Sequence, residues 1–448
     1  MINNLFGTDG IRGTANTDNM APESLLRIGM AAATHFKNGD HRHRVVIGKD
    51  TRLSGYMLES ALTSGFVSMG MDVTLVGPIP TPAIAMLTRS LRADLGVMLS
   101  ASHNLYYDNG IKFFGPDGYK LSDIDEDKIE EHMQNKIDCV RASPEEMGRA
   151  KRLDDAAGRY VEYVKSTFPK GLRLDGLRIV LDCANGAAYK VAPEVLSELG
   201  AEIIPINVEP DGMNINQNCG SLYPTGVKEQ VVNHNADIGL AFDGDADRVL
   251  VCDENGEMVS GDQILALITD HCRETGHLKG NGAVATVMSN FGLEKYFSRQ
   301  GLSLIRTKVG DRYVVEKMRS ENYNVGGEQS GHIVLGNYSS TGDGLIASLQ
   351  ILAILVSREG KASTICRPFD LVPQILKNVP ITRGQLINTK NVQEAICEAE
   401  TLLLNRGRLL VRESGTEAIV RVMVEGDDTT LIESLSNKIV NAIEHGKG

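Results

Sequence analysis

Short apolar runs alternate with longer amphipathic stretches along most of the chain, a pattern that predicts strands alternating with helices. The pattern occurs three times. The predicted strands lie at 44–48, 72–76 and 95–99, at 177–182, 202–206 and 238–242, and at 283–288 and 302–307. The predicted helices lie at 58–69 and 81–91, at 189–199, and at 262–275 and 293–299. Such alternation favours mixed or parallel sheets covered by helices.

The pattern changes beyond residue 367. Shorter strands are predicted at 371–376, 408–412 and 419–424, with helices at 392–404 and 430–444. A chain of 448 residues is too long for a single core. We therefore predict three consecutive α/β domains with mixed sheets and a C-terminal α+β domain around a central cleft, with boundaries at 1–152, 153–256, 257–366 and 367–448.

Composition narrows the class of protein. The chain is 42% hydrophobic and 23% charged, as is typical of a folded soluble protein. Its longest apolar stretch, 345–356, is shorter than the roughly 18 residues of a membrane span. No basic segment followed by an apolar one opens the sequence, so no secretory signal is visible and we expect a cytoplasmic protein.

Cysteines and net charge exclude further classes. Seven cysteines without a C-x-x-C pair argue against a disulfide framework or a zinc site. A net charge of −12 disfavours nucleic acid as a partner. A phosphorylated ligand would therefore need a local cluster of cations inside an acidic protein.

Polar loops that follow predicted strands carry the candidate chemistry, because ligands of α/β sheets bind at the carboxyl ends of strands. The four loops are 100–104 (SASHN), 243–248 (DGDADR), 327–332 (GEQSGH) and 412–417 (RESGTE). In the first, we expect the chain to turn after the strand and to expose the hydroxyl of Ser102, with His103 and Asn104 as hydrogen-bond donors. Ser100 is a second candidate nucleophile, and a simple turn cap is the alternative.

In the second loop, Asp243, Asp245 and Asp247 place carboxylates at alternate positions. At about 5 Å and an effective dielectric of about 20, each pair repels by roughly 3 kcal/mol, so the loop needs a cation. Oxygen ligands favour Mg²⁺. A calcium EF-hand and a purely structural acidic turn are the alternatives; the EF-hand fails because Arg248 stands where the sharp turn needs glycine, and 249–252 resembles a strand.

The last two loops offer groups for a sugar phosphate. Glu328, Gln329 and Ser330 suit vicinal hydroxyls, although a surface turn is the alternative. In the fourth loop, guanidinium groups and backbone amides of small residues can bind phosphate, at Arg412, Ser414, Gly415, Thr416 and Arg421. Further candidate cations are Arg12, Lys49 with Arg52, Lys308 with Arg312, and Arg248 next to the aspartates.

The order, spacing and flanking residues of these loops, from 6–13 (FGTDGIRG) to the final helix, resemble the alpha-D-phosphohexomutase family, most closely its bacterial phosphoglucosamine mutase branch. The resemblance implies that Ser102 is the phosphoserine, and 108–112 (DNGIK) also matches. It implies that Glu328 contacts the sugar and that the fourth loop holds the phosphate that does not react. It places Lys112 first and His332 second as general base and acid. Leu105, Glu413 and Ala418 depart from the family pattern.

The implied enzyme is an intramolecular phosphotransferase of the isomerase class. It would interconvert glucosamine 6-phosphate and glucosamine 1-phosphate through phosphorylated Ser102 and glucosamine 1,6-bisphosphate, and so feed UDP-N-acetylglucosamine synthesis. One Mg²⁺ per subunit would bind the three aspartates and an oxygen on Ser102. A phosphomannomutase or phosphoglucomutase, and a non-catalytic phosphosugar-binding protein, are the alternatives. Subunit association stays open, a homodimer included.

Overall fold

The computed structural model describes residues 5–7, 9–134, 141–380, 389–413 and 419–445. Two compact units are present. Met1–Thr286 with Thr307–Pro368 forms the first unit, and Val287–Arg306 with Phe369–Gly448 forms the second. The three predicted α/β repeats fall mainly in the first unit.

The first repeat builds a sheet whose central strands are almost fully buried. Its strands are β1 (Ile11–Thr14), β2 (Arg44–Lys49), β3 (Asp72–Pro78), β4 (Leu95–Leu99), β5 (Asp108–Phe114) and β6 (Ala150–Arg152), in the order β1-β5-β4-β2-β3-β6. Its helices are α1 (Pro22–Phe36), α2 (Gly55–Ser68), α3 (Thr81–Ser90) and α4 (Asp123–Gln134). Because β4 runs parallel to β2 and antiparallel to β5, the start of β5 lies beside the end of β4.

The second repeat forms a smaller mixed sheet. Its strands are β7 (Arg178–Asp182), β8 (Glu202–Ile206), β9 (Ile238–Phe242), β10 (Val249–Asp253) and β11 (Met258–Val259), in the order β11-β10-β9-β7-β8. Its helices are α5 (Ala156–Ser166), α6 (Val191–Glu198) and α7 (Thr225–His234). Strands β9 and β10 are antiparallel, so the loop between them is the tip of a hairpin.

The third repeat contributes elements to both units. It contains β12 (Gly282–Thr286), β13 (Ser303–Thr307), β14 (Val325–Gly327) and β15 (Ile333–Leu335), with α8 (Gly261–Glu274), α9 (Phe291–Arg299), α10 (Asp311–Glu321), α11 (Gly344–Arg358) and α12 (Ala362–Ile365). Strand β14 is parallel to β12 and antiparallel to β15. Helix α11, which carries the longest apolar stretch, is buried along most of its length.

The second unit has an antiparallel sheet, as expected of an α+β module. It consists of β16 (Gln374–Pro380), β17 (Gly407–Glu413) and β18 (Ile419–Gly426) in the order β16-β18-β17, with α13 (Lys390–Leu403) and α14 (Thr429–His445). Helix α9 is anchored to this unit because the Phe291 amide donates to the buried Glu425 carboxylate at 2.9 Å.

Most predicted elements are confirmed, and three strands, β4, β8 and β9, have the predicted bounds. The strand predicted at 371–376 is wrong in position. It runs from Gln374 to Pro380, because pairing with β18 begins at Glu425 and continues to Ile419. Across the described ranges, none of the helices combines the length and the apolar character that crossing a membrane requires.

Helices α1 and α2 approach closely where Gly29 and Gly65 face each other. A Cβ atom on Gly65 would lie 2.5 Å from the Leu26 carbonyl oxygen and 3.1 Å from the Met30 amide nitrogen. Both are backbone atoms, so the contact cannot be relieved by a rotamer change. This close approach seats the helix pair on the sheet that carries Ser102.

We expect Gly65→Ala to lower the free energy of unfolding by about 1–3 kcal/mol, because the added methyl group forces α1 and α2 apart. Urea unfolding followed by circular dichroism measures the change. The matched control is Gly158→Ala in α5, where no atom lies within 4 Å of the new Cβ. It should be neutral or stabilising by up to about 1 kcal/mol. Equal unfolding curves for Gly65→Ala and the wild type would contradict the packing argument.

Candidate active site

Ser102 lies in the serine loop, residues 100–104, directly after β4. Its φ of 52° is left-handed. The sequence predicts an exposed hydroxyl, but the side chain is buried, and its Oγ donates to Asp243 Oδ2 at 2.6 Å. Asn104 donates to Asp108 Oδ2 at 3.1 Å, so its amide serves the loop itself.

Arg52 holds the serine loop in place through hydrogen bonds to its backbone. Its Nη2 donates to the carbonyl oxygens of Ser102 at 3.0 Å and Asn104 at 2.8 Å, and Asn216 Nδ2 reaches the same two oxygens at 2.9 Å each. The Arg52 Nε also pairs with Asp50 Oδ2 at 2.8 Å. Arg52 is therefore a scaffold residue, fully engaged with the loop backbone.

Ser100 belongs to the same scaffold. Its Oγ donates to Asp50 Oδ2 at 2.7 Å and accepts a hydrogen bond from the Ser102 amide at 2.9 Å. The hydroxyl is buried and held on both sides. This geometry favours Ser102 over Ser100 as the group that faces the aspartates.

Three carboxylates converge in the aspartate loop, residues 243–247, at the tip of the β9–β10 hairpin. One oxygen from each of Asp243, Asp245 and Asp247 lies within 4.8 Å of the others, and all three side chains are buried. Burial, followed by the charges of Asp247 and Asp245, raises the pKa of Asp243 well above its usual value. The concentration of negative charge, together with a buried Asp245 Oδ1 that accepts no hydrogen bond from the described residues, fits a divalent cation with oxygen ligands.

The EF-hand alternative is excluded by the strands around the loop. Residues 249–253 return antiparallel to β9, so no helix follows the aspartates. Glu254, at the position of the twelfth EF-hand ligand, instead accepts hydrogen bonds from Ser363, from Oγ at 2.5 Å and from the amide at 2.9 Å.

Lys112 is the main counter-charge to the aspartate loop. Strand β5 places its Nζ 2.8 Å from Asp245 Oδ2, 3.2 Å from Asp247 Oδ2 and 3.4 Å from Asp9 Oδ2. Burial alone would lower the pKa of Lys112, but the three carboxylates raise it well above its usual value. Thr81 Oγ1 also donates to Asp245 Oδ2, at 2.6 Å.

Two imidazoles flank the same cluster. His103 Nδ1 lies 3.3 Å from Ser102 Oγ, and burial, with the charges of Arg248 and Arg12, lowers the pKa of His103 to about 4. His332 Nδ1 lies 3.5 Å from Asp247 Oδ1. Burial lowers the pKa of His332, but the carboxylates of Asp247, Asp311 and Glu328 together raise it above its usual value. His103 is thus neutral near pH 7. His332 Nε2 accepts a hydrogen bond from the Gly342 amide at 3.2 Å, so Nδ1 is the nitrogen that carries the proton and faces Asp247.

The loop between β14 and β15, which carries Glu328 and Ser330, is fastened to the aspartate hairpin. The Val249 amide donates to the Gly331 carbonyl at 3.1 Å, next to Arg248. The Arg248 amide donates to Asp243 Oδ1 at 3.2 Å, and its Nε lies 3.7 Å from Asp247 Oδ1. The first unit therefore brings together Ser102, His103, Lys112, the three aspartates, Arg248 and the Glu328 loop.

Comparisons with known proteins identify the family of the chain. Four models of the phosphoglucomutase/phosphomannomutase family match: alpha/beta/alpha domain I at residues 3–138, domain II at 158–256, domain III at 260–371 and the C-terminal domain at 376–442. A phosphoglucosamine mutase of Paramagnetospirillum magneticum is 61% identical over 100% of both chains. The chain belongs to the alpha-D-phosphohexomutase family.

Solved structures share the fold of this phosphohexomutase. A phosphoglucomutase/phosphomannomutase family protein from Burkholderia thailandensis has a TM-score of 0.82 at 22% identity, covering 100% of this chain and 99% of that one. Aspergillus fumigatus N-acetylphosphoglucosamine mutase, solved with GlcNAc-6P and magnesium, has a TM-score of 0.65 at 19% identity, covering 98% and 95%. At these identities the likeness shows the fold alone.

Sequence reasoning missed part of the charge network in this phosphohexomutase. Asp9 pairs with Arg12 at 2.5 Å and with Lys120, and Lys120 pairs with Asp311 at 2.5 Å. Asp9 lies within the segment 6–13 that resembles the family, so its carboxylate could have been proposed as a site residue. Lys120 and Asp311 carry no local signal, because the fold joins residues that are far apart in sequence.

Several predicted cations instead serve the scaffold. Lys49 is buried against Glu59 at 2.7 Å, and Arg312 binds Asp123 at 2.8 Å and Glu126 at 3.0 Å. Lys308 Nζ lies 5.9 Å from the centre of the Tyr313 ring. Arg12 and Arg248 thus remain the candidate arginines beside Ser102.

In the second unit, Arg412 on β17 lies directly opposite Arg421 on β18. Burial and the charge of Arg421 lower the pKa of Arg412. Like charges opposite each other destabilise a sheet, so this pair suits an anion. Ser414, Gly415, Thr416 and Ala418 lie outside the described residues.

We expect Arg52→Ala to lower the free energy of unfolding by about 3–5 kcal/mol, because it leaves Asp50 as a buried, unpaired charge. Arg12→Ala is the matched control. Its side chain is 31% exposed, so losing the pair with Asp9 should cost at most about 1 kcal/mol. Thermal and urea unfolding of both variants measures the difference. Equal losses of stability would show that Arg52 is not the scaffold of the serine loop.

Proposed function

We propose that the chain is a phosphoglucosamine mutase that interconverts glucosamine 6-phosphate and glucosamine 1-phosphate. The observation that carries the proposal is the Ser102 hydroxyl, 2.6 Å from Asp243 within a cluster of buried carboxylates and cations. The relative at 61% identity supports the choice of sugar. Such an enzyme is an isomerase that moves a phosphoryl group between two oxygens of one sugar.

Asp243, Asp245 and Asp247 would hold one Mg²⁺ together with an oxygen of phosphorylated Ser102, since their oxygens already converge. The ion would supply positive charge to the transferring phosphoryl group. Arg248 and Arg12 add further positive charge from the protein, and neutral His103 can donate a hydrogen bond. Phosphoryl transfer depends mainly on such positioning and electrostatics.

The reaction consists of two successive phosphoryl transfers. First, the bond between Ser102 Oγ and phosphorus breaks while the sugar O1 forms a bond to the same phosphorus, giving glucosamine 1,6-bisphosphate. The bisphosphate then turns around, and Ser102 Oγ takes the 6-phosphoryl group, releasing glucosamine 1-phosphate. A proton leaves O1 in the first half and returns to O6 in the second.

Lys112 is our first candidate for this proton transfer and His332 the second. Both side chains are buried and contact the aspartate loop next to Ser102. To take the proton from O1, either group must be in its neutral form. The resulting ammonium or imidazolium ion can then return the proton to O6.

We assign the remaining candidate residues to the parts of the substrate that do not react. Glu328 and Ser330 are assigned to sugar hydroxyls. Phosphate that is not being transferred is assigned to Arg412, Ser414, Gly415, Thr416 and Arg421, and the opposed arginines of β17 and β18 support this assignment. The domain boundaries 1–152, 153–256, 257–366 and 367–448 and a homodimer likewise stay proposals.

We expect glucosamine 6-phosphate to be turned over with the highest kcat/KM of three hexose phosphates, because the loop 327–332 is assigned to an amino sugar. Coupled assays with the glucosamine, mannose and glucose 6-phosphates measure the order. EDTA should abolish turnover and added Mg²⁺ should restore it. A clear preference for mannose or glucose 6-phosphate would establish the alternative, a phosphomannomutase or phosphoglucomutase.

Ser102→Ala should reduce mutase activity at least about a thousandfold, because no hydroxyl remains to carry the phosphoryl group. The variant should keep its circular dichroism spectrum. Mass spectrometry of the wild type should show a fraction one phosphate heavier, localised to Ser102.

Ser100→Ala is the matched control, and it should still accept phosphate at Ser102. Its expected cost is about 1–3 kcal/mol of stability, from the hydrogen bonds lost at Asp50 and at the Ser102 amide. Phosphate that persists in Ser102→Ala and disappears in Ser100→Ala would transfer the carrier role to Ser100.

A further inference from the structure

A second group of metal-ligating side chains lies at the other edge of the first sheet. His41 and His43 lead into β2, and Asp94 directly precedes β4, its parallel neighbour. Ser102 follows the opposite end of β4, whose five residues span about 16 Å. The group is therefore separate from the aspartate loop and takes no part in the proposed phosphoryl transfer.

The three side chains face one another closely. One nitrogen from each imidazole and one Asp94 oxygen lie within 4.8 Å of one another. His41 Nε2 is 2.7 Å and His43 Nδ1 is 3.4 Å from Asp94 Oδ1. Arg42, between the two histidines, points to Asp72 instead, at 2.8 Å. The His-x-His spacing thus puts both rings on one side of the chain.

Neighbouring backbone groups orient two of the three ligands. The other oxygen of Asp94, Oδ2, accepts a hydrogen bond from the Arg44 amide at 2.7 Å. His43 Nε2 lies 3.3 Å from the Gly39 carbonyl oxygen, to which only a protonated Nε2 can donate. In the neutral ring, the lone pair of Nδ1 then faces the Asp94 carboxylate. Metal-bound histidines are commonly oriented by a donated hydrogen bond of this kind.

We propose that His41, His43 and Asp94 bind a single Zn²⁺ ion. Two acceptors that face each other, Nδ1 of His43 and Oδ1 of Asp94, are brought together favourably by a cation between them. Two imidazoles and one carboxylate are a common ligand set for zinc, whereas Mg²⁺ prefers oxygen alone. Water completes the shell, since His41 lies at the surface with 59% of its side chain exposed.

The distances suit zinc after a small movement. Tetrahedral ligands at roughly 2.0–2.1 Å from Zn²⁺ lie about 3.3 Å apart. The 3.4 Å between His43 and Asp94 already matches this value. The exposed His41 would withdraw from Asp94, from 2.7 Å to about 3.3 Å. The cysteine pattern argues only against a zinc site built from cysteines, and the ligands proposed here are two histidines and one aspartate.

The bound ion would join the segment before β2 to the segment before β4. Both segments begin strands that end at the serine-loop edge of the sheet. An ion that binds the folded protein and not the unfolded chain stabilises the fold by mass action. The ion would therefore stabilise the N-terminal sheet.

Titration of the metal-free full-length protein with Zn²⁺, in the presence of a chromophoric chelator and excess Mg²⁺ to occupy the aspartate loop, tests the proposal. We expect one equivalent to bind, with at least about tenfold weaker binding in His41→Asn and in His43→Asn. Zn²⁺ should also raise the melting temperature of the wild type more than that of either variant. Because His41 is exposed, His41→Asn should fold even if His43→Asn does not.

The matched control is His35→Asn, which removes an imidazole paired with Asp125 at 3.0 Å in the same sheet-and-helix layer. It should bind Zn²⁺ like the wild type. Equal affinity in the wild type and His41→Asn would overturn the proposal and leave the cluster as a histidine–carboxylate ion pair. Anomalous diffraction at the zinc edge that places the ion away from Asp94 would also overturn it.

Discussion

Buried negative charge at the tip of the β9–β10 hairpin is the constraint on which the rest of the site depends. Three aspartates there are removed from water, which is costly unless cations face them. Lys112 arrives from β5 and Arg248 from the hairpin itself, so each cation needs its own strand in place. The sheets of the first and second repeats must therefore both be formed before the charges balance.

The strong periodic segments could be predicted from the sequence because burial leaves a clear signal. Strands β4 and β9 are buried at every position, and their apolar runs have the observed bounds. Strand β5, which carries Lys112, was not predicted. It begins with the polar residues Asp108 and Asn109, so its first positions lack the apolar pattern of a buried strand. In the second unit, pairing with β18 decided where β16 begins, which no local pattern contains.

Some features of the candidate site could likewise be predicted from the sequence, and others could not. The four loops and their residue types were visible, and family resemblance assigned their expected roles. The contact between Ser102 and Asp243 was not visible, because the two residues are 141 positions apart in sequence. Nor could local sequence distinguish Arg52 from Arg12. Both are arginines in polar segments. Only the fold buries Arg52 completely against Asp50 and leaves the Arg12 side chain 31% exposed.

The left-handed backbone at Ser102 has a consequence for how stability is distributed. A side chain in that conformation costs about 1–2 kcal/mol, and Ala246 in the facing aspartate loop adopts it as well. Glycine would relax the first position but has no hydroxyl. The serine loop and the aspartate loop thus each contain a strained residue, which the helices and sheets around them must hold in place. Residues that hold these loops, such as Arg52, therefore contribute at the same time to the stability of the fold and to the geometry around Ser102.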